Sequence, residues 1–134
     1  MPHERFPPDT AWEWINRARS DLAIAQSVIE GAYLEDLCYH AQQCAEKAFK
    51  AVLLHRTGAF PYVHDLAELA HRVQQSGLEV SDVVRKAVAL TEYAVEGRYP
   101  GFDEPVTVEQ WKDGIEKAKA VLHWAETTVL PPKP

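Results

Sequence analysis

Apolar positions along this chain recur at steps of three and four in five stretches, and nowhere alternate with strand period over a useful length. The stretch that organises the others is residues 39–54, YHAQQCAEKAFKAVLL, which contains no Gly, no Pro and no β-branched residue before Val52. Leu37, Ala41, Cys44, Ala45, Ala48 and Val52 form one apolar stripe, with residues small enough for a neighbouring helix to approach closely. Tyr39, Gln43, Glu46 and Lys50 form a second stripe at the same spacing, polar and aromatic. On chemistry alone this second stripe reads as a solvated helix face, with Glu46 and Lys50 as a favourable i,i+4 pair.

The punctuation between stripes places the other helices. Thr10 with Glu13 predicts a capping box. Ala11, Ile15, Ala18, Leu22, Ala25 and Ile29 then predict a first helix running up to Gly31, widened by Trp12 and Trp14. Asp21 lies beside that stripe, as an exposed acid or as the partner of a lysine on the central helix. The central helix is expected from Leu34 to Thr57, ending at Gly58. Asp65 with Glu68 starts a short third helix that runs to Gly77. Ser81 caps a fourth, in which Val83, Val84, Ala87, Val88, Leu90, Thr91, Ala94 and Val95 give an apolar arc wide enough to be covered on two sides, the second by another subunit. Gly97 closes it, and residues 98–105 read as a structured loop. Thr107 with Gln110 forms a last capping box ahead of Trp111, Ile115, Ala118, Leu122 and Ala125; Gly114 is a mild defect inside this fifth helix. All nine prolines fall outside the five helices. The expected fold is all-α: an antiparallel up-and-down four-helix bundle with an additional short helix, a single domain over residues 1–134 ordered from about 10 to 128.

Composition narrows the function classes. With 134 residues and 46% apolar positions the chain can bury an ordinary core, and its net charge of −6 argues against a passive grip on nucleic acid. Neither a leader pattern nor a bilayer-length apolar run is present, so a soluble cytoplasmic protein with no membrane partner is expected. Cys38 and Cys44, six apart on one helix, read as small buried hydrophobes rather than a disulfide. The six histidines include no His-x-x-x-His pair, and there is no Cys-x-x-Cys; no metal site and no cofactor are predicted.

The central helix carries Tyr39-His40-Ala41-Gln42-Gln43-x-Ala45-Glu46-Lys47-Ala48-x-Lys50-Ala51, followed after a loop by His64-Asp65-Leu66-x-x-Leu69. Together with Trp12, Asp21-Leu22-x-x-Ala25 upstream and Arg98-Tyr99-Pro100 downstream, this resembles the HEPN domain family over roughly residues 10–128. The resemblance implies the same helical fold. One activity of that family is metal-independent RNA cleavage, with a His four to six residues after an Arg; an imidazole can move protons near neutral pH while a guanidinium holds phosphate. Here only Arg56 has a His shortly downstream, and seven residues separate it from His64. No catalytic residue is therefore assigned. The chain resembles instead the small HEPN proteins that accompany a separate minimal nucleotidyltransferase, in toxin–antitoxin-like or related systems. That resemblance implies a non-catalytic nucleotide-binding or interaction module, a homodimer or a nucleotidyltransferase partner, with RNA left open as a ligand. Carried over by position, the ligand residues would be Tyr39, Gln43, Glu46, Lys47, Lys50, His64, Arg98 and Tyr99. The alternative is an atypical ribonuclease using His64 with Arg56 or Arg98 from a distance.

Overall fold

The computed structural model describes residues 4–94, 105–129 and 131. Arg98, Tyr99, Gly97 and most of the loop expected around them lie outside the described residues. All regular structure among the described residues is helical: α1 Ala11–Ala25, α2 Leu34–Thr57, α3 Leu66–Gln75, α4 Asp82–Arg85, which continues as a 3-10 helix over Lys86–Tyr93, and α5 Val108–Thr128. None of these helices is long and apolar enough to cross a membrane.

Side-chain contacts fix the helix directions. Asp21 meets His40 and Lys47 while Trp14 packs on Phe60, so α1 runs antiparallel to α2. Cys44 reaches the Ala118 carbonyl and Phe49 packs on Trp124, so α5 runs parallel to α2. Leu90 sits against Gly114, near the start of α5, and Thr91 receives the Leu66 amide at the start of α3. The α4 segment therefore ascends between two descending helices, and α1, α2, α4 and α5 make the up-and-down bundle.

The connection from α2 to α3 departs from the rule that short links join antiparallel helices. Gln42 reaches the His64 carbonyl at one end of α3, and Arg56 holds Ser76 at the other, so α3 runs parallel to α2. Residues 58–65 must return along α2 before α3 begins. Gly58, at φ 82°, ends α2 in the left-handed conformation that lets the chain double back.

Two expectations change at element ends. The Thr10–Glu13 capping box is not formed: the Thr10 hydroxyl donates to the Pro7 carbonyl at 2.7 Å, and Glu13 accepts from the Phe6 amide at 2.9 Å. The preceding arm folds back and takes both groups. Helix α1 stops at Ala25, short of Ile29 and Gly31, because the Trp111 indole occupies the Ala25 carbonyl at 2.7 Å. That carbonyl would otherwise accept the next turn's amide, so Val28 and Ile29 are left on the surface.

The fourth helix changes most. A single α-turn gives way to 3-10 geometry, with three residues per turn, which stacks Val84, Ala87, Leu90 and Tyr93 on one buried ridge. Arg85, Lys86, Glu92 and Val83 face out. Of the arc expected to need two covers, Val84, Ala87 and Leu90 are buried, Val88, Thr91 and Ala94 are half-buried, Val83 is exposed, and Val95 lies outside the described residues. Gly114 faces this ridge, and a Cβ there would meet Leu90 at 3.4 Å, an ordinary contact. The caps at Asp65, Ser81 and Thr107 form as the sequence predicts, the last as a full capping box with Gln110.

Candidate functional site

Helix α2 is the hub, packed against α1, α3, α4 and α5, and even its polar stripe is enclosed. Gln42, Glu46 and Lys50 are 0%, 3% and 5% exposed, so the solvated face expected of the Glu46–Lys50 stripe is instead a buried polar seam. The returning segment causes this. Its Phe60 ring lies over the Lys50 ammonium at 5.4 Å and packs edge-on against Trp14 at 4.9 Å, while His64 comes down onto Glu46.

Glu46 collects three donors. Lys50 Nζ approaches Oε2 at 3.0 Å; Gln42 Nε2 and His64 Nδ1 approach Oε1 at 3.1 and 2.9 Å. Burial by itself would raise the Glu46 pKa. The hydrogen bonds from Gln42, Lys50 and His64, with the Lys50 charge, outweigh it and hold the carboxyl below its ordinary range. Gln42 also reaches the His64 carbonyl at 3.4 Å, and Gln43 donates to the Gln42 oxygen at 2.7 Å. The His64 side chain remains 71% exposed. When neutral and donating through Nδ1, it presents Nε2 to solvent as an acceptor.

A second cluster lies on the α1 side of α2. Asp21 is buried and accepts from Lys47 Nζ and, at 2.9 Å, pairs with His40 Nδ1. Asp21 is therefore the lysine partner rather than the exposed acid. His40 was not singled out by sequence reasoning as a site residue; its signal is that it lies seven positions before Lys47, two turns along the same face. The Tyr39 ring stacks edge-on to His40 at 5.4 Å and is half-buried. Cys44 is fully enclosed beside these groups, and burial first, then the Asp21 charge, push its thiol pKa up.

The structure thus brings Gln43, Glu46, Lys50 and His64 into one connected network, and Lys47 and Tyr39 into the neighbouring one. Arg98 and Tyr99 lie outside the described residues. Arg56 does not join His64. Its guanidinium donates to the Ser76 hydroxyl and carbonyl, both at 2.8 Å, at the far end of α3. A helix of ten residues is about 15 Å long, so the two side chains are held at opposite ends of it. No group of three or more His, Cys, Asp or Glu able to hold a metal ion occurs among the described residues.

The profile of the HEPN domain matches residues 11–128. The chain belongs to the HEPN domain family. The Methanocaldococcus jannaschii protein named "Putative toxin MJ1304" is 33% identical over 116 residues, which span 79% of this chain and 72% of that relative. Among solved structures, ST0689, an archaeal HEPN homologue, superposes with a TM-score of 0.71 at 25% identity, covering 90% of this chain and 98% of that one. TT1696 from Thermus thermophilus gives 0.70 at 26% identity, covering 88% and 97%. The Asp21 and Glu46 networks therefore sit on α1 and α2 of a HEPN bundle.

Proposed function

We propose that this HEPN protein is a non-catalytic module that binds a nucleotide and works beside a separate minimal nucleotidyltransferase, in a toxin–antitoxin-like pair. The observation that carries the reading over cleavage is the fate of Arg56, whose guanidinium is spent on Ser76 about one helix length from His64. Held there, Arg56 cannot give His64 the phosphate anchor that in-line attack on a phosphodiester requires. The ligand residues are Gln43, Glu46, Lys47, Lys50, His64 and Tyr39, with Arg98 and Tyr99 proposed to join them. In the absence of its partner the protein is a homodimer. The exposed Val83 on the fourth helix and Val28, Ile29 and Tyr33 at the α1–α2 connection support this.

Purified protein should show a thermal shift with nucleotides, leave single-stranded RNA intact, and co-purify with a small nucleotidyltransferase expressed from a neighbouring reading frame. Sedimentation at micromolar concentration should give a dimer. A monomer would remove the homodimer from the proposal without touching the ligand.

A second reading, an atypical metal-independent ribonuclease, draws on His64 itself. Its imidazole is exposed while a buried carboxylate fixes Nδ1, the arrangement of an oriented general base. The relative's name, a toxin, favours it as well. RNA cleavage that survives purification and disappears in His64→Ala would replace the first reading with this one.

A further inference from the structure

We infer that residues 59–64 form a displaceable strap over a buried phosphate-binding position at Lys50, so that a nucleotide enters by lifting the strap. This inference rests on the nucleotide-binding reading and adds where the phosphate goes and what controls its access.

The first observation is the state of Lys50. An ammonium carries three N–H donors, and burying it is costly unless they are met. Among the described residues Lys50 has one acceptor, Glu46 Oε2 at 3.0 Å, and one aromatic face, Phe60 at 5.4 Å. It is 5% exposed. Two N–H groups therefore remain directly beneath the strap, where phosphate oxygens could accept them.

The second observation is how the strap is held. Among the described residues, the backbone of residues 59–63 hydrogen-bonds only to Thr57 and within itself: the Thr57 hydroxyl to the Ala59 carbonyl at 2.8 Å, the Ala59 amide to the Thr57 hydroxyl at 3.4 Å, and the Val63 amide to the Pro61 carbonyl at 2.9 Å. Its grip on the bundle comes from Phe60 and Val63, both packed against the core, and from His64, through the Nδ1 contact to Glu46 and the long Gln42 bond to its carbonyl. Tyr62 at its crest is 96% exposed and meets Phe60 edge-to-face with ring centroids 6.2 Å apart. Lifting such a segment breaks three side-chain anchors and no helix or ladder.

The third is what lies underneath. Trp14 and Lys50 both contact the Phe60 ring, so lifting that ring frees an indole on which a base can stack and an ammonium that can take phosphate. Closure would also lower the apparent affinity, in proportion to the fraction of time the strap is open.

Access to Lys50 can be read without a ligand. The wild-type protein is treated with an amine-acylating reagent, and Lys50 modification is compared with exposed Lys112 by peptide mass spectrometry. His64→Ala removes one anchor while leaving the Phe60 ring over Lys50, and should raise Lys50 modification relative to Lys112 by at least about tenfold. Phe60→Leu, which keeps an apolar cover but loses the ring contacts, should act in the same direction. ATP and inorganic triphosphate should protect Lys50 in Phe60→Leu, which leaves every proposed ligand residue in place, and leave Lys112 unchanged. Equal Lys50 modification in wild type and both variants overturns the strap and leaves the nucleotide reading standing. A thermal shift with ATP but no protection of Lys50 overturns the position and keeps the nucleotide. Faster modification with neither protection nor thermal shift overturns both.

Discussion

The Asp21 and Glu46 clusters have the same composition, a buried carboxylate that receives a lysine ammonium and a histidine Nδ1, yet they are built differently. Asp21 joins two helices: the acid is on α1, and Lys47 and His40 are on α2. Glu46 and Lys50 lie on one helix at i,i+4, and among the described residues the one element they recruit is the strap, through His64 and Phe60. The Lys47 side chain keeps 24% of its surface in water, against 6% for Lys50. The first cluster is a cross-link at the edge of the bundle that solvent can repair. The second is an ion pair with no water to fall back on, and its environment depends on a segment with little backbone attachment.

The largest consequence should follow from leaving Glu46 uncompensated. Lys50→Met is expected to destabilise by about 3–5 kcal/mol, because the buried carboxylate loses its charge partner. In a domain of this size that is a fall in melting temperature on the order of 10 °C or more. Removing both charges in Glu46→Gln/Lys50→Met should recover most of it, since replacing a buried pair is far less costly than breaking it. Chemical denaturation of the three proteins measures this, and a double variant as weak as the single would mean that the seam is held by something other than its charges.

Asp21→Asn should cost less, about 1.5–3 kcal/mol, the usual worth of hydrogen bonds to a charged group. Lys47 and His40 can turn towards water when the acid is gone, as Lys50 cannot. Equal losses in the two single variants would erase the contrast between the clusters.

Sequence reasoning found these two clusters unequally, for reasons visible in particular residues. The Glu46–Lys50 pair follows from spacing on one helix, and Asp21 beside an apolar stripe already offered a lysine partner as one of its two readings. What spacing could not give was burial. That depends on residues 58–65 returning along α2, a path set by Gly58 and by where Phe60 and His64 find partners. The same limit applied at Thr10, whose capping signal was sound locally and was overridden when Pro7 and Phe6 folded back. The fourth helix was legible in a way that periodicity at 3.6 concealed. Val84, Ala87, Leu90 and Tyr93 are spaced by three, which is the 3-10 repeat rather than the α repeat. The five-helix bundle itself survived all of these local errors, because it rested on the order of stripes and stops rather than on any one cap.

Acid should weaken the Glu46 seam. The Glu46 pKa is below its unfolded value, so the contribution is full above about pH 4.5 and is lost as pH falls through the lower folded value. Unfolding free energy of the wild type should therefore drop in that window. The Glu46→Gln/Lys50→Met protein should show a shallower acid limb, read from denaturant midpoints between about pH 3 and 6. Parallel acid limbs would show that Glu46 is not held ionised by the seam.

The smallest effect concerns salt. A double-mutant cycle of Asp21→Asn with Lys47→Met should give a coupling of about 0.5–1 kcal/mol at low ionic strength, since one partner is partly solvated. The Debye length shortens from about 10 Å at 0.1 M to about 3 Å at 1 M, and mobile ions reach Lys47. The coupling should shrink over that range. The cycle of Glu46→Gln with Lys50→Met should keep its coupling, because the strap excludes ions from both members of the pair. A Glu46–Lys50 coupling that fell with salt as steeply as the Asp21–Lys47 one would place Lys50 in contact with solvent in the resting protein, and the strap would then stand open much of the time.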